Sequence, residues 1–169
     1  MKPSVVAVLS FLLIPATVAA EEPAGCEKFA WSLKREQGWF AVSDKPTIAA
    51  GGTLETVPGT AFVVRLQPGG GAKFALPPER TSKLERWFGG MVSFPAPPRA
   101  GLYQITLSDE AWIDVVQAGT YAKSIGNTGR RDCPILRKSV RFQLLQIPFS
   151  LQLSGATSDV ITVAISPSE

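Results

Sequence analysis

The sequence predicts a mainly β protein: an antiparallel β-sandwich with one N-terminal helix and a short helical crossover. The first observation is that glycine and proline turn signals recur about every 8 to 12 residues between positions 51 and 155, a spacing typical of all-β domains. The second is that apolar and polar residues alternate between these turns, which indicates strands with one buried face. Helical spacing of apolar residues is clearest near the start of the chain.

Residues 1–20 have the pattern of a secretory signal peptide. Lys2 supplies a basic start, residues 5–14 form an apolar run, and residues 18–20 suit signal peptidase, so we expect cleavage before Glu21. The alternative is an uncleaved anchor, but this run is shorter than the roughly 20 residues that span a bilayer. We therefore predict a periplasmic or secreted protein in which residues 21–169 form one domain without a transmembrane span.

The first element after the leader is an amphipathic helix at about residues 27–40. Apolar Phe29, Ala30, Leu33 and Phe40 recur there at helical spacing. Gly38 offers a natural stop, because glycine adopts the backbone conformation that ends many helices. The pattern predicts one such helix.

Eight strands follow, in two sets. The first set is predicted at residues 60–66, 72–76 and 90–94, and the second at residues 102–107, 111–117, 139–145, 149–153 and 160–165. In each of the last two strands alternate apolar residues share one face; they are Phe149, Leu151 and Leu153, and Ile161, Val163 and Ile165. Within the first set, residues 79–88 are predicted as a short helical crossover that carries Leu84 and Trp87 inward.

Residues 101–116 and 148–165 echo one another, since Tyr-Gln-Ile-Thr-Leu-Ser at 103–108 answers Phe-Ser-Leu-Gln-Leu-Ser at 149–154. Two β-hairpins of similar size would explain the echo. The G-x-Y-x-I-x-L strand at residues 101–107 resembles jelly-roll β-sandwich modules of secreted bacterial proteins, including the pre-peptidase C-terminal type. The resemblance covers about residues 90–165, and it implies a jelly-roll-like fold without a catalytic signature.

The whole chain also resembles a group of small exported bacterial proteins of unassigned function. They share a C-E-K-F-A-W start and a G-R-R-D-C-P segment, here residues 26–31 and 129–134. Members of such groups sometimes carry a homogentisate dioxygenase label, and enzymes of that kind hold iron with two histidines and a carboxylate. Because this chain has no histidine, it cannot build that site, and we reject the label on chemical grounds.

The only two cysteines, Cys26 and Cys133, lie after the leader. An exported protein works in an oxidising compartment, so the simplest reading is one disulfide between them. The alternatives are two free thiols or a redox pair. A thioredoxin-like pair would need both cysteines within one short turn.

The absence of histidine excludes Ser-His-Asp and Cys-His catalysis and histidine-based metal or haem sites. Carboxylate chemistry remains, and the only dense acidic group is Asp109, Glu110 and Asp114. These residues could supply a glycosidase acid and base or oxygen ligands for calcium. The alternative is an ordinary solvated turn, and we predict no catalytic residue, no cofactor and no metal.

Aromatic residues make a better case for ligand binding. Trp112 and Asp114 should share one face of a strand, and Tyr103 on the preceding strand could lie beside them. An indole, a phenol and a carboxylate together suit a sugar ring, whose flat apolar face stacks and whose hydroxyls form hydrogen bonds. The alternative is that Trp112 belongs to the core and Asp114 accepts hydrogen bonds from nearby loops.

Residues 124–134 are predicted to form an exposed polar loop that ends at Cys133. Its Arg130, Arg131 and Asp132 either bind a ligand or are structural, with Asp132 paired to an arginine beside the disulfide. The basic cluster in this region also includes Arg137, Lys138 and Arg141. Lys2 falls in the leader, so the remaining chain has 16 basic and 14 acidic residues, a charge of only +2. We therefore predict no nucleic-acid partner.

These features favour a non-enzymatic exported β-sandwich. It would act as a binding or accessory module of the periplasm or cell envelope, with a carbohydrate or another envelope component as ligand. The alternative is a structural or assembly protein that contacts a protein partner through a sheet edge or the N-terminal helix. A carboxylate-based glycoside hydrolase is the third hypothesis.

Overall fold

Two packed β-sheets dominate the computed structural model, which describes residues 25–168. The predicted leader, residues 1–20, lies outside the described residues. The strands in chain order are β1 Thr47–Ala49, β2 Phe62–Arg65, β3 Gln67–Pro68, β4 Phe88–Phe94, β5 Gly101–Leu107, β6 Trp112–Gln117, β7 Thr120–Tyr121, β8 Ser124–Gly129, β9 Lys138–Leu144, β10 Phe149–Ala156 and β11 Val160–Pro167.

The strands form one six-stranded and one five-stranded sheet. Their orders are β1-β2-β11-β5-β9-β8 and β3-β4-β10-β6-β7. Every pairing between these strands is antiparallel except that of β1 with β2. Within them, β2-β11-β5-β9 faces β4-β10-β6-β7 as in an eight-stranded jelly roll, with β1, β3 and β8 added at the edges. The predicted antiparallel sandwich is confirmed.

The two units that echo one another in the sequence are not hairpins. β5 lies in the six-stranded sheet and β6 in the five-stranded sheet, and β10 and β11 likewise belong to opposite sheets. Each unit therefore crosses the sandwich, so the prediction of two hairpins was wrong. Alternation shows that a strand has a buried face, but two strands that face one core can lie in the same sheet or in opposite sheets.

The core lies between the sheets. It contains all six alternate apolar residues predicted for the last two strands, including Leu151 and Val163. Phe94 of β4 stacks on Phe149 of β10 with ring centroids 4.9 Å apart. Full burial of such side chains contributes roughly 1.5–3 kcal/mol each, so this cluster is the main source of stability.

Residues 25–41 cover the outer face of the six-stranded sheet, and we call them the N-terminal cover. They contain a 3-10 turn, Gly25–Lys28, and a helix α1, Lys34–Ala41. Leu33 and Phe40 are buried there against Ala164 and Leu136. The predicted helix at 27–40 is thus shorter than expected, since residues 29–33 are not helical. Ala30 N instead donates a hydrogen bond to Thr128 Oγ1 of β8.

Residues 72–87, here called the strap, cross the outer face of the five-stranded sheet. The predicted strand at 72–76 and the helical crossover at 79–88 are not formed, because the strap has bends but no helix or strand. Its backbone bonds instead to a side chain: Gln152 Oε1 accepts hydrogen bonds from Ala75 N at 2.6 Å and Leu76 N at 3.0 Å. Leu84 is exposed rather than inward.

Trp87, at the end of the strap, is half-buried and packs against residues on both sides of it. Its ring is stacked with Phe74, with centroids 6.4 Å apart. It also lies against Gly69 and Gly89, where a Cβ atom would come within 2.2 Å and 2.8 Å of the indole. Both positions therefore require glycine, and the indole fixes the strap where it joins β4.

The predicted exposed loop at 124–134 is partly a strand. Residues Ser124–Gly129 form β8, which pairs with β9 at one edge of the six-stranded sheet. The register shifts between Ser124 and Gly126, and Ile125 at that bulge is exposed. Glycine-rich sequences are poor strand formers, so pairing with β9 decides this conformation. Among residues 25–168, no helix is long and apolar enough to cross a bilayer.

Candidate functional site around Trp112

The predicted disulfide is confirmed. Cys26 and Cys133 are bonded, with Cα atoms 4.6 Å apart. The bond joins the N-terminal cover to the segment that precedes β9. Gly25 lies directly against this segment, since a Cβ on it would come within 2.4 Å of the Asp132 carbonyl oxygen. The bridge is therefore part of a close-packed structural joint.

Arg130 and Asp132 form a planar double contact beside the disulfide. Arg130 Nε donates to Asp132 Oδ1 at 2.9 Å and Nη2 donates to Oδ2 at 2.7 Å. The hydrogen bonds from Arg130 lower the pKa of Asp132 below its ordinary value. Arg131 is exposed between them. The contacts of Arg130 and Asp132 agree with the structural alternative for this segment.

Tyr103 does not lie beside Trp112. It belongs to β5 in the six-stranded sheet, is buried in the core, and donates its hydroxyl to the Arg99 carbonyl at 3.1 Å. Trp112 belongs to β6 in the opposite sheet. The expected patch of indole, phenol and carboxylate is therefore not formed, because the chain crosses the sandwich between β5 and β6.

Trp112 and Asp114 do share the outer face of β6. Trp112 Nε1 donates a hydrogen bond of 2.6 Å to Asp114 Oδ1, which fixes the orientation of the indole. Asp114 is only 2% exposed, and its Oδ2 accepts a hydrogen bond from Glu79 N of the strap at 3.2 Å. Asp114 also pairs with Gln152 across β6 and β10. The side chains of Asp114 and Gln152 together hold the strap on the five-stranded sheet.

Burial raises the pKa of Asp114 above its ordinary value, and the negative charge of Glu79 adds to the increase. Hydrogen bonds from Glu79 N and Trp112 lower the pKa, but they do not outweigh burial. Among the described residues, no group of three or more potential metal-ligating side chains is found. The carboxyl group therefore serves as an internal hydrogen-bond acceptor.

Two cations lie on the Trp112 ring. The Arg80 guanidinium carbon is 4.3 Å from the ring centroid and Lys138 Nζ is 5.2 Å from it, so both make cation–π contacts. Lys138 Nζ also donates to the Ala111 carbonyl at 3.0 Å and approaches Glu110 Oε1 at 3.5 Å. Arg137 binds the other oxygen of Glu110. Glu110 is thereby neutralised by two cations.

Two grooves meet at the Trp112 side chain, and both are lined by Arg80, Trp112 and Lys138. The first, which we call the strap groove, has a volume of about 230 Å³ and is completed by Ser82, Glu110, Ser154 and their neighbours. The second, the edge groove, has a volume of about 210 Å³ and is completed by Glu79, Ser124, Asn127 and three apolar residues, Ile113, Val140 and Phe142.

The edge groove exists because one strand is short. β7 pairs with only Val116 and Gln117 of β6. Within residues 25–168, no strand lies beside the Trp112 end of β6 on that side. Residues of β6, β8 and β9 line the gap, and one of them, Phe142, belongs to the core.

Sequence reasoning found Trp112 and Asp114 but missed most of their surroundings. Arg80 and Ser154 carry no motif, and their positions depend on the path of the strap and the pairing of β10. Lys138 lies in the basic cluster noted in the sequence, although nothing there connects it to Trp112. Only the fold brings these residues together.

In comparisons with known proteins, no family model, no curated protein and no solved structure matches this chain. The resemblances drawn from the sequence motifs therefore stay predictions.

Proposed function

We propose that this protein is a non-enzymatic, exported binding module that holds a carbohydrate of the cell envelope in the two grooves at Trp112. The observation that carries the proposal is the half-buried Trp112 ring, which lies between both grooves and is held by Asp114. An indole of fixed orientation loses little conformational entropy when a ligand binds. Tryptophan also supplies a large apolar surface for a ligand to contact.

The polar residues of the grooves support a sugar ligand. Ser82 in the strap groove and Ser124 and Asn127 in the edge groove are hydroxyl and amide side chains that can bond to sugar hydroxyls. Each groove is smaller than the roughly 300–1,000 Å³ typical of pockets for drug-sized ligands. Because the site consists of two small grooves, a ligand made of small linked units fits it better than one large rigid molecule.

The three carboxylates that could have served a glycosidase are engaged in other contacts. Asp109 accepts a hydrogen bond from Glu110 N at 2.7 Å. Glu110 pairs with Arg137 and Lys138. Asp114 is buried and accepts hydrogen bonds from Trp112 and Glu79. This supports binding without catalysis, and we expect no release of reducing ends when glycans are incubated with the protein.

The test is isothermal titration calorimetry of the oxidised mature protein against a panel of neutral and acidic envelope oligosaccharides. We expect one sugar class to bind, and Trp112→Ala to weaken that binding at least about tenfold, since loss of a central aromatic anchor costs about 2 kcal/mol or more. Trp39→Ala is the matched control, because Trp39 is also half-buried and also lies under an arginine, with Arg35 5.3 Å from its ring.

Binding that Trp39→Ala preserves and Trp112→Ala removes supports the proposal, provided that both variants unfold cooperatively. Equal loss in the two variants, or no binding by any member of the panel, contradicts it. The second candidate function, contact with a protein partner, then gains weight. The observation that favours it is the edge strand β8 with its exposed Ile125, and crosslinking from that position in the native envelope tests it.

A further inference from the structure

We infer that the ligand is an acidic carbohydrate and that the strap groove binds the carboxylate of a hexuronic acid unit through Arg80, Lys138 and Ser154. This inference rests on the carbohydrate-binding function proposed above. It adds the charge of the ligand and assigns one groove to its charged group.

Arg80 is the first line of evidence. Its side chain is exposed, and within residues 25–168 no carboxylate pairs with its guanidinium group. The guanidinium is instead positioned by the Trp112 ring at 4.3 Å. A guanidinium that uses one face for an aromatic ring keeps its N–H edge, which can donate two parallel hydrogen bonds to a carboxylate.

The charge balance of the strap groove is the second line of evidence. Arg80 and Lys138 line this groove together with one acidic residue, Glu110. Glu110 already binds Arg137 as well as Lys138. The groove therefore has an excess of positive charge, and a negatively charged group of a ligand would balance it. The edge groove has the same two cations and one carboxylate, Glu79, so the choice between the grooves depends on Ser154, which lines only the strap groove.

Ser154 is the third and independent observation. The residue is only 3% exposed, it lies in the wall of the strap groove, and its hydroxyl has no hydrogen-bond partner among the described residues. A buried hydroxyl without a partner is unfavourable, and such groups are uncommon in folded proteins. An acceptor oxygen of a ligand in this groove would satisfy it.

The experiment compares two forms of one sugar. Short oligogalacturonates are titrated into the oxidised protein in parallel with their methyl esters, which keep the ring and its hydroxyls but lack the charge. We expect the free acid to bind at least about tenfold more tightly, because hydrogen bonds to a charged group are stronger than those between neutral groups. We also expect this advantage to shrink as salt is added.

Variants assign the charged group to the strap groove. Arg80→Gln should weaken binding of the free acid about tenfold more than it weakens binding of the ester, because only the acid offers a charged partner to the guanidinium group. Arg86→Gln is the matched control, since Arg86 is exposed on the same strap but does not line either groove. Ser154→Ala should weaken binding of the free acid without lowering the unfolding temperature, because it removes a hydroxyl that lacks a partner in the fold.

The outcomes separate the two proposals. Equal affinity for acid and ester, unaffected by Arg80→Gln, overturns the inference and keeps the carbohydrate function. No binding of either form, or of any other glycan, overturns both. Inorganic sulfate or phosphate that competes as strongly as the oligosaccharide shows a general anion site and also overturns the assignment to a sugar acid.

Discussion

Glu36 connects α1 to the six-stranded sheet through a single carboxylate oxygen. Its Oε1 accepts hydrogen bonds from Gln104 Nε2 at 3.0 Å, Ser166 Oγ at 2.5 Å and Arg35 Nη2 at 2.9 Å. Burial raises the pKa of Glu36, but these hydrogen bonds outweigh burial and hold the pKa below the ordinary value of 4.5. The ionised form is therefore the one that the fold stabilises.

Because the pKa of Glu36 is lower in the folded state, Glu36 contributes fully to the free energy of unfolding above its ordinary pKa. This contribution is lost as the pH falls through the pKa of the folded state. Glu36→Gln should lower the free energy of unfolding by about 1–3 kcal/mol at pH 7, since the donors of Gln104 and Ser166 lose a charged acceptor. The difference from the native protein should shrink in acid. Urea unfolding at pH 7 and at pH 3 measures both effects.

The control for this prediction is Glu27→Gln. Glu27 is exposed in the 3-10 turn of the same N-terminal cover, so its stability change should be small at both pH values. A loss in Glu36→Gln that is the same at pH 7 and pH 3 would show that the charge of Glu36 contributes nothing, and the prediction would then be wrong.

At the scale of elements, the strap keeps its path without secondary structure of its own. Gln152 forms three hydrogen bonds with the strap backbone. Its Oε1 accepts from Ala75 N and Leu76 N, and its Nε2 donates to the Leu76 carbonyl at 3.1 Å. The sequence predicted a strand and a helix here. That prediction failed because the strap forms hydrogen bonds with side chains of β6 and β10, which no local pattern reveals.

Gln152→Ala should release the strap, because three hydrogen bonds to its backbone are lost and Ala75 and Leu76 are left without those partners. Local opening then becomes more frequent, and trypsin should cut at Lys73, Arg80, Lys83 or Arg86 about tenfold faster than in the native protein. Limited proteolysis followed by mass spectrometry locates the cuts.

Gln146→Ala is the matched control, since the Gln146 amide also bonds to a backbone carbonyl, that of Pro98, but far from the strap in sequence. It should leave cleavage within residues 72–87 unchanged. If Gln152→Ala is cut no faster than this control, Gln152 does not hold the strap, and the contacts of Asp114 with Glu79 and of Trp87 with Gly69 and Gly89 must do so.

For the whole molecule, the sequence supports the sandwich, the disulfide and the buried faces of β10 and β11. Each follows from information local to the chain: alternation, turn spacing or a cysteine count. The sheet to which β5 and β6 belong, the path of both covering segments and the cations on Trp112 do not follow from it. These depend on contacts between residues far apart in the chain, such as Glu36 with Ser166 and Asp114 with Glu79.

The N-terminal cover and the strap lie on opposite faces of the sandwich, so we can test whether they contribute independently to its stability. Replacing Cys26 and Cys133 by serine should cost about 2–4 kcal/mol of unfolding free energy, because a long loop is no longer closed. The N-terminal cover should also loosen, so Glu36→Gln should cost less in the serine variant than in the native protein. We expect a coupling of at least about 0.5 kcal/mol, as found for changes in one network.

A second double-mutant cycle combines Glu36→Gln with Gln152→Ala and tests for coupling across the sandwich. These residues hold different covers on different sheets, so their effects on stability should add to within about 0.5 kcal/mol, as for independent sites. Urea unfolding of all the single and double variants at pH 7 measures both cycles. If the effects of Glu36→Gln and of losing the disulfide simply add, the two do not stabilise the same N-terminal cover. If the effects of Glu36→Gln and Gln152→Ala are strongly coupled, the N-terminal cover and the strap are not independent.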